Sequence, residues 1–166
     1  MKPLTHMLRS VVLIVAAALL NPAFAVSPRA FVETASEKGL AEIANGRLAL
    51  EKSQSADVRR FAQMMIDEHQ AANAELIELS SQLGLPASDG TAVMDRVKKL
   101  ILEYREGSFD QAYANNQVAA HEQTVELFQE QAEEADVPPL QAFASKYLPR
   151  LRAHLEEARK LKAAHP

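Results

Sequence analysis

The chain has 166 residues, 18 basic and 22 acidic side chains, and no cysteine. That is enough for one domain with one sizeable core, and it excludes disulfides and lipid attachment at a cysteine. The acidic balance argues against nucleic acid or an anionic membrane surface as a partner.

Residues 1–25 read as a cleaved signal peptide. Lys2 and Arg9 give a positive start, Val11 to Leu20 is an unbroken apolar run, and Ala23-Phe24-Ala25 has the small-x-small form of a cleavage site. The run is too short to span a bilayer, which needs about 20 apolar residues. The expectation is export, to the periplasm or beyond, of a mature single domain over residues 26–166 with no transmembrane segment. Losing Lys2 and Arg9 leaves 16 basic against 22 acidic residues, a net charge of −6.

Ser27 and Pro28 open the mature chain as a short linker. Phe31 to about Lys52 reads as the first helix, with an inner row of Val32, Ala35, Gly39, Glu42, Gly46 and Ala49. Each internal glycine costs a helix about 1 kcal/mol against alanine, which a closely approaching neighbour helix would explain. Ser53-Gln54-Ser55 breaks the pattern, and Ser55 or Asp57 can cap the second helix.

That second helix spans Asp57 to Leu83 and stops at Gly84. Its apolar face carries Val58, Phe61, Met65, Ala72, Leu76 and Leu83, with His69 in the same row. Leu85 to Gly90 is a loop, and Val93, Val97, Leu100, Ile101 and Tyr104 mark a short helix within the connection. The third long helix runs from Phe109 to about Ala135, capped by Ser108 with Gln111 as its partner. One of its rows is Ala114, Val118, His121, Val125, Phe128 and Ala132.

Asp136 to Pro139 is a turn, and the fourth helix then runs to about Ala163 with the row Leu140, Phe143, Tyr147, Leu151, His154, Ala158 and Leu161. Pro149 lies inside it, so a bend is expected near Leu148. The prediction is an all-α fold: a ferritin-like four-helix bundle, with one long crossover and a short extra helix between helices 2 and 3.

Glu42, His69, His121 and His154 all sit near mid-length of their helices. At 1.5 Å per residue each stands about 17–22 Å from a helix start. Antiparallel neighbours meet at mid-length, so the four side chains should converge on one layer of the core. Imidazole nitrogen and carboxylate oxygen are ligands for zinc, iron, manganese and copper, and one such ion is the cofactor this set would take. Asn73, Tyr113, Asn116 and Gln117 are candidates for holding the outer ring nitrogens.

Asp67, Glu68 and Glu122 adjoin the histidines but should point 100° or more away, into solvent. Met64 and Met65 fit core packing better than copper. The alternative to a metal is a structural layer that fixes helix register, in an envelope interaction module tied to stress. No nucleophile with a positioned base and no phosphate loop is present, so an oxidase or peroxidase function ranks last.

The pieces Gly39-Leu40-Ala41-Glu42, Phe61-Ala62 through Met65 to His69, Phe109-Asp110-x-x-Tyr113, Ala120-His121-Glu122 and Leu148-Pro149-x-Leu151-x-x-His154-Leu155 resemble the exported bacterial domain-of-unknown-function family 4142, DUF4142. The resemblance covers about Phe31 to Leu161; it implies export and a ferritin-like bundle, and no reaction. Ile66, Val118 and Leu151 stand three residues before the histidines, where a di-iron site of ferritin type has glutamate.

Overall fold

A computed structural model describes residues 26–90, 93, 108–134 and 136–166. Four long helices account for most of them: α1 (Pro28–Lys52), α2 (Ala56–Leu83), α3 (Phe109–Glu134) and α4 (Pro138–Ala164). No strand occurs among the described residues. The predicted leader, the predicted cleavage site and the predicted crossover helix, apart from Val93, lie outside them. Val93 itself is helical and buried.

The helix ends follow from local chemistry. Ser27 accepts a hydrogen bond from the Ala30 amide at 3.2 Å, so α1 starts at Pro28, three residues before the predicted Phe31. Proline at the first helical position lacks only an amide that would have had no partner there. Ser108 caps α3 by accepting from the Gln111 amide at 3.1 Å. Gly84 ends α2 with φ of 65°, and the Leu85 amide reaches back to the Ser80 carbonyl at 2.9 Å, the left-handed stop that glycine adopts without steric penalty.

The α4 helix is continuous through Pro149. Pro149 and Ser145, whose carbonyl loses its partner, both lie on the exposed side, where the carbonyl is accessible to solvent.

Two apolar clusters fix how the helices run. One joins Ala49 of α1, Val58, Phe61 and Met65 of α2, Phe109, Tyr113 and Val118 of α3, and Leu155 and Leu161 of α4. The other joins Phe31 and Val32, Leu76, Phe128, and Leu140 to Leu151. Thus α1 and α4 run one way and α2 and α3 the other. The end of α2 and the start of α3 therefore lie at opposite ends of the bundle, as the one-crossover prediction requires. The hairpins α1–α2 and α3–α4 make the closest pairs, and α1 also packs on α3 and α2 on α4.

Between the clusters lies a polar waist: Ser36, Glu42, Asn73, His69, Gln117, His121, Thr124 and His154 are all buried. Asn73 Nδ2 donates to the Ser36 carbonyl at 3.0 Å, tying α2 to α1. The two α1 glycines allow this approach. A Cβ on Gly46 would meet Ile66 Cγ1 at 2.8 Å and the Ala62 carbonyl oxygen at 2.9 Å, and one on Gly39 would meet Asn73 Oδ1 at 2.1 Å. Backbone cannot swing aside as a side chain can. Gly46→Ala should therefore lower stability by about 1–2 kcal/mol in urea denaturation, even after the gain in helix propensity.

Candidate metal centre

The three predicted histidines meet. His69 comes from α2, His121 from α3 and His154 from α4, and one ring nitrogen of each lies within 4.8 Å of those of the other two. The ring centroids stand 5.8, 5.6 and 5.4 Å apart in the pairs 69–121, 69–154 and 121–154. All three side chains are buried, at 6, 1 and 4 % exposure. They face one another because each occupies the inner row of its helix at the level where the two apolar clusters part.

The outer nitrogens set the inner ones. His121 Nδ1 lies 2.9 Å from the Gln117 carbonyl oxygen, one helical turn back. A carbonyl only accepts, so the proton is on Nδ1 and the Nε2 lone pair is free. His154 Nε2 lies 2.7 Å from Glu68 Oε2. The carboxylate holds the proton there, and the lone pair is on Nδ1. His69 Nε2, His121 Nε2 and His154 Nδ1 are buried and have no hydrogen-bond partner. Leaving a buried polar atom unpaired costs about 1–3 kcal/mol, and here three such atoms belong to one cluster of rings.

Charge is disfavoured on two of the rings. Burial pushes His69 well below the usual histidine pKa, and the neighbouring His121 and His154 push it further. Burial also lowers His154, with His121 adding to it, while Glu68 pulls the other way. His69 and His154 therefore favour the neutral imidazole, the form that binds a metal. A tetrahedral ion with Zn–N bonds of about 2.0–2.1 Å has donors about 3.3 Å apart, so closing on one needs side-chain shifts on the order of an ångström.

Glu42 is buried on α1, and Gln117 Nε2 donates to its Oε2 at 2.7 Å. It lines the α1–α3 seam with Asn45 and Asn116, whose side chains share a 3.2 Å bond. Burial, reinforced by Glu42, raises the Tyr113 hydroxyl well above its usual pKa. The converging cluster consists of the three imidazoles, and Glu42 touches it through Gln117, the residue whose carbonyl holds His121. Of the outer candidates, Gln117 alone holds a histidine; Asn73 and Asn116 bond elsewhere, and the Tyr113 hydroxyl is buried without a partner.

Glu68 corrects the sequence reading. It is not a solvated neighbour: its side chain is 27 % exposed, bonds His154 and pairs with Arg150 at 3.3 Å. One residue before an inward histidine, a side chain on α2 points along the seam with α4. Arg150 and His154, four apart, form the matching row on α4. That complementary pair across two helices was the available signal. Asp67 and Glu122 do lie at the surface, bonded to Gln63 and Arg159. Met65 is fully buried in one apolar cluster, and Met64 packs against it.

Among the described residues no helix is long and apolar enough to cross a membrane. No curated protein and no solved structure matches the chain. The model of a domain of unknown function, DUF4142, matches residues 15–161, and the chain belongs to that family.

Proposed function

We propose that the mature protein is an exported bundle that binds one transition-metal ion through His69 Nε2, His121 Nε2 and His154 Nδ1, for storage, sensing or protection. The observation that carries this is the set of three buried, partnerless nitrogens, on rings that approach within 4.8 Å of one another. Three buried nitrogens without partners on one cluster of rings are costly to leave as they are. A shared Lewis acid satisfies all three. An all-imidazole donor set suits zinc, copper or iron better than manganese.

Glu42 enters the proposal as an outer carboxylate that steadies α3 at Gln117. Export rests on the leader alone, and the exported protein should begin at Val26 by intact mass. The test of function is metal content: untagged protein, purified and then reconstituted, should hold about one equivalent, and less than about a tenth would contradict the proposal. Glu68→Gln should weaken metal binding by about 10–100-fold in a competition titration while leaving the helical content intact, because the carboxylate fixes the His154 tautomer.

A structural layer is the second reading. The Gln117–Glu42 and Glu68–His154 bonds, which join helices distant in sequence, favour it. It leaves the three inner nitrogens without a purpose, and it predicts a metal content of zero.

A further inference from the structure

Resting on the metal reading, we infer that the centre keeps one exchangeable coordination position, which faces a cavity inside the bundle and holds a small anion. Three imidazoles leave at least one position of a four-coordinate ion for an outside ligand. The packing decides which way that position points. Because α2 and α3 run against α4, Ala72, Thr124 and Leu151 each stand one turn from a histidine on the same side of the layer. All three line a cavity, together with His69 and His154 themselves. On the other side, again one turn away, Met65, Val118 and Ala158 are buried in one packed cluster. The space exists because Ala35, Gly39 and Ala72 bring little bulk to the walls. Glu68, Ala72, Tyr147 and Arg150 are the parts of the lining that reach solvent, and all stand on α2 or α4, so the opening follows that seam.

Charge selects the ligand. Three neutral imidazoles leave the 2+ charge of the ion uncompensated. Glu68 puts a carboxylate on the cavity wall, but it already holds the His154 proton at 2.7 Å and pairs with Arg150 at 3.3 Å. Leu76, Phe128, Phe143 and Leu151 give the rest of the wall an apolar, buried character. A charge in such surroundings is costly without a counter-charge, so an anion bound directly to the metal is favoured over a neutral ligand. With no other anion present, the same field acts on a bound water. The water gives up a proton to solvent and hydroxide takes the position, as zinc lowers the pKa of its water to about 7. A small anion is thus the class of substrate or signal that this centre would meet.

The probe is azide, titrated into the full mature chain loaded with cobalt(II), after excess metal has been removed and bound metal measured. The visible cobalt spectrum should change saturably with one azide per cobalt, and the metal content should stay the same. Ala72→Leu and Thr124→Leu each fill the cavity one turn from a histidine. Each should retain cobalt and weaken azide binding by at least about 10-fold, and the second serves if the first does not fold. Cobalt that keeps its spectrum in azide, azide that strips the cobalt, or an azide affinity unmoved by the substitutions would overturn the inference and leave the metal reading standing. Failure to load cobalt would overturn both.

Discussion

His121→Leu should leave the metal-free protein as stable as the parent, or more so, and should remove metal binding. The substitution deletes a buried nitrogen that has no partner and replaces the ring with an apolar group of similar size. Its one hydrogen bond, to the Gln117 carbonyl, is also lost, but that carbonyl keeps its helical position. A net hydrogen bond is worth about 0.5–1.5 kcal/mol, whereas an unsatisfied buried atom costs about 1–3 kcal/mol, so the balance is neutral to favourable. Loss of one of three ligands should lower metal affinity by at least about 100-fold, beyond the effect of an outer-shell change. Chemical denaturation with and without metal reads both effects. In the parent, metal at about 1,000 times its dissociation constant adds about 4 kcal/mol, and in the variant it should add nothing measurable. A variant that unfolds outright would show that the layer is structural.

The metal-free protein should lose stability steeply as pH falls below 6.5. His69 and His154 both have depressed pKa values in the fold, against an ordinary value of 6.5. Between the folded and unfolded values the unfolded chain binds more protons, so stability rises with pH there and falls as acid is added. Each such group contributes a slope of up to about 1.4 kcal/mol per pH unit. Asp57 does not confuse this window. It is lowered to about 2, chiefly by its bond from Ser55 and to a smaller extent by Val58 and His165, and the stability it gives is lost only as pH falls below 3.8. Urea midpoints between pH 5 and pH 7, in about half-unit steps, should show the slope, and His69→Leu should flatten it. A profile as flat as that variant's in the parent would mean that the imidazoles are hydrated or already charged.

Much of the bundle was legible in the chain because spacing and burial are coupled in helices. The inner rows of α1 and α4 are buried as their three-and-four repeat demands, with Tyr147 only partly so. The glycines of α1 announced a close neighbour, and α2 lies there. The histidines could be set at one level by counting residues, since rise per residue is nearly constant. What a single-helix projection could not show is the seam. Glu68 is off the inner row of α2 yet meets α4, and Gln117 belongs to a second inward row of α3 with Tyr113, Thr124 and Gln131. Both depend on how far one helix turns against its neighbour. Glu42 was placed at the right depth, but its direction around α1 leads to Gln117.

Metal binding of the proposed kind requires a particular nitrogen of each ring to face the ion, and nitrogen-15 NMR of histidine-labelled protein, titrated with zinc, reads this directly. His69 Nε2, His121 Nε2 and His154 Nδ1 should shift together at one equivalent, with the Nδ1 proton of His121 and the Nε2 proton of His154 retained. Ring nitrogens that do not respond to zinc, or coordination through His121 Nδ1 and His154 Nε2, would contradict the proposed centre.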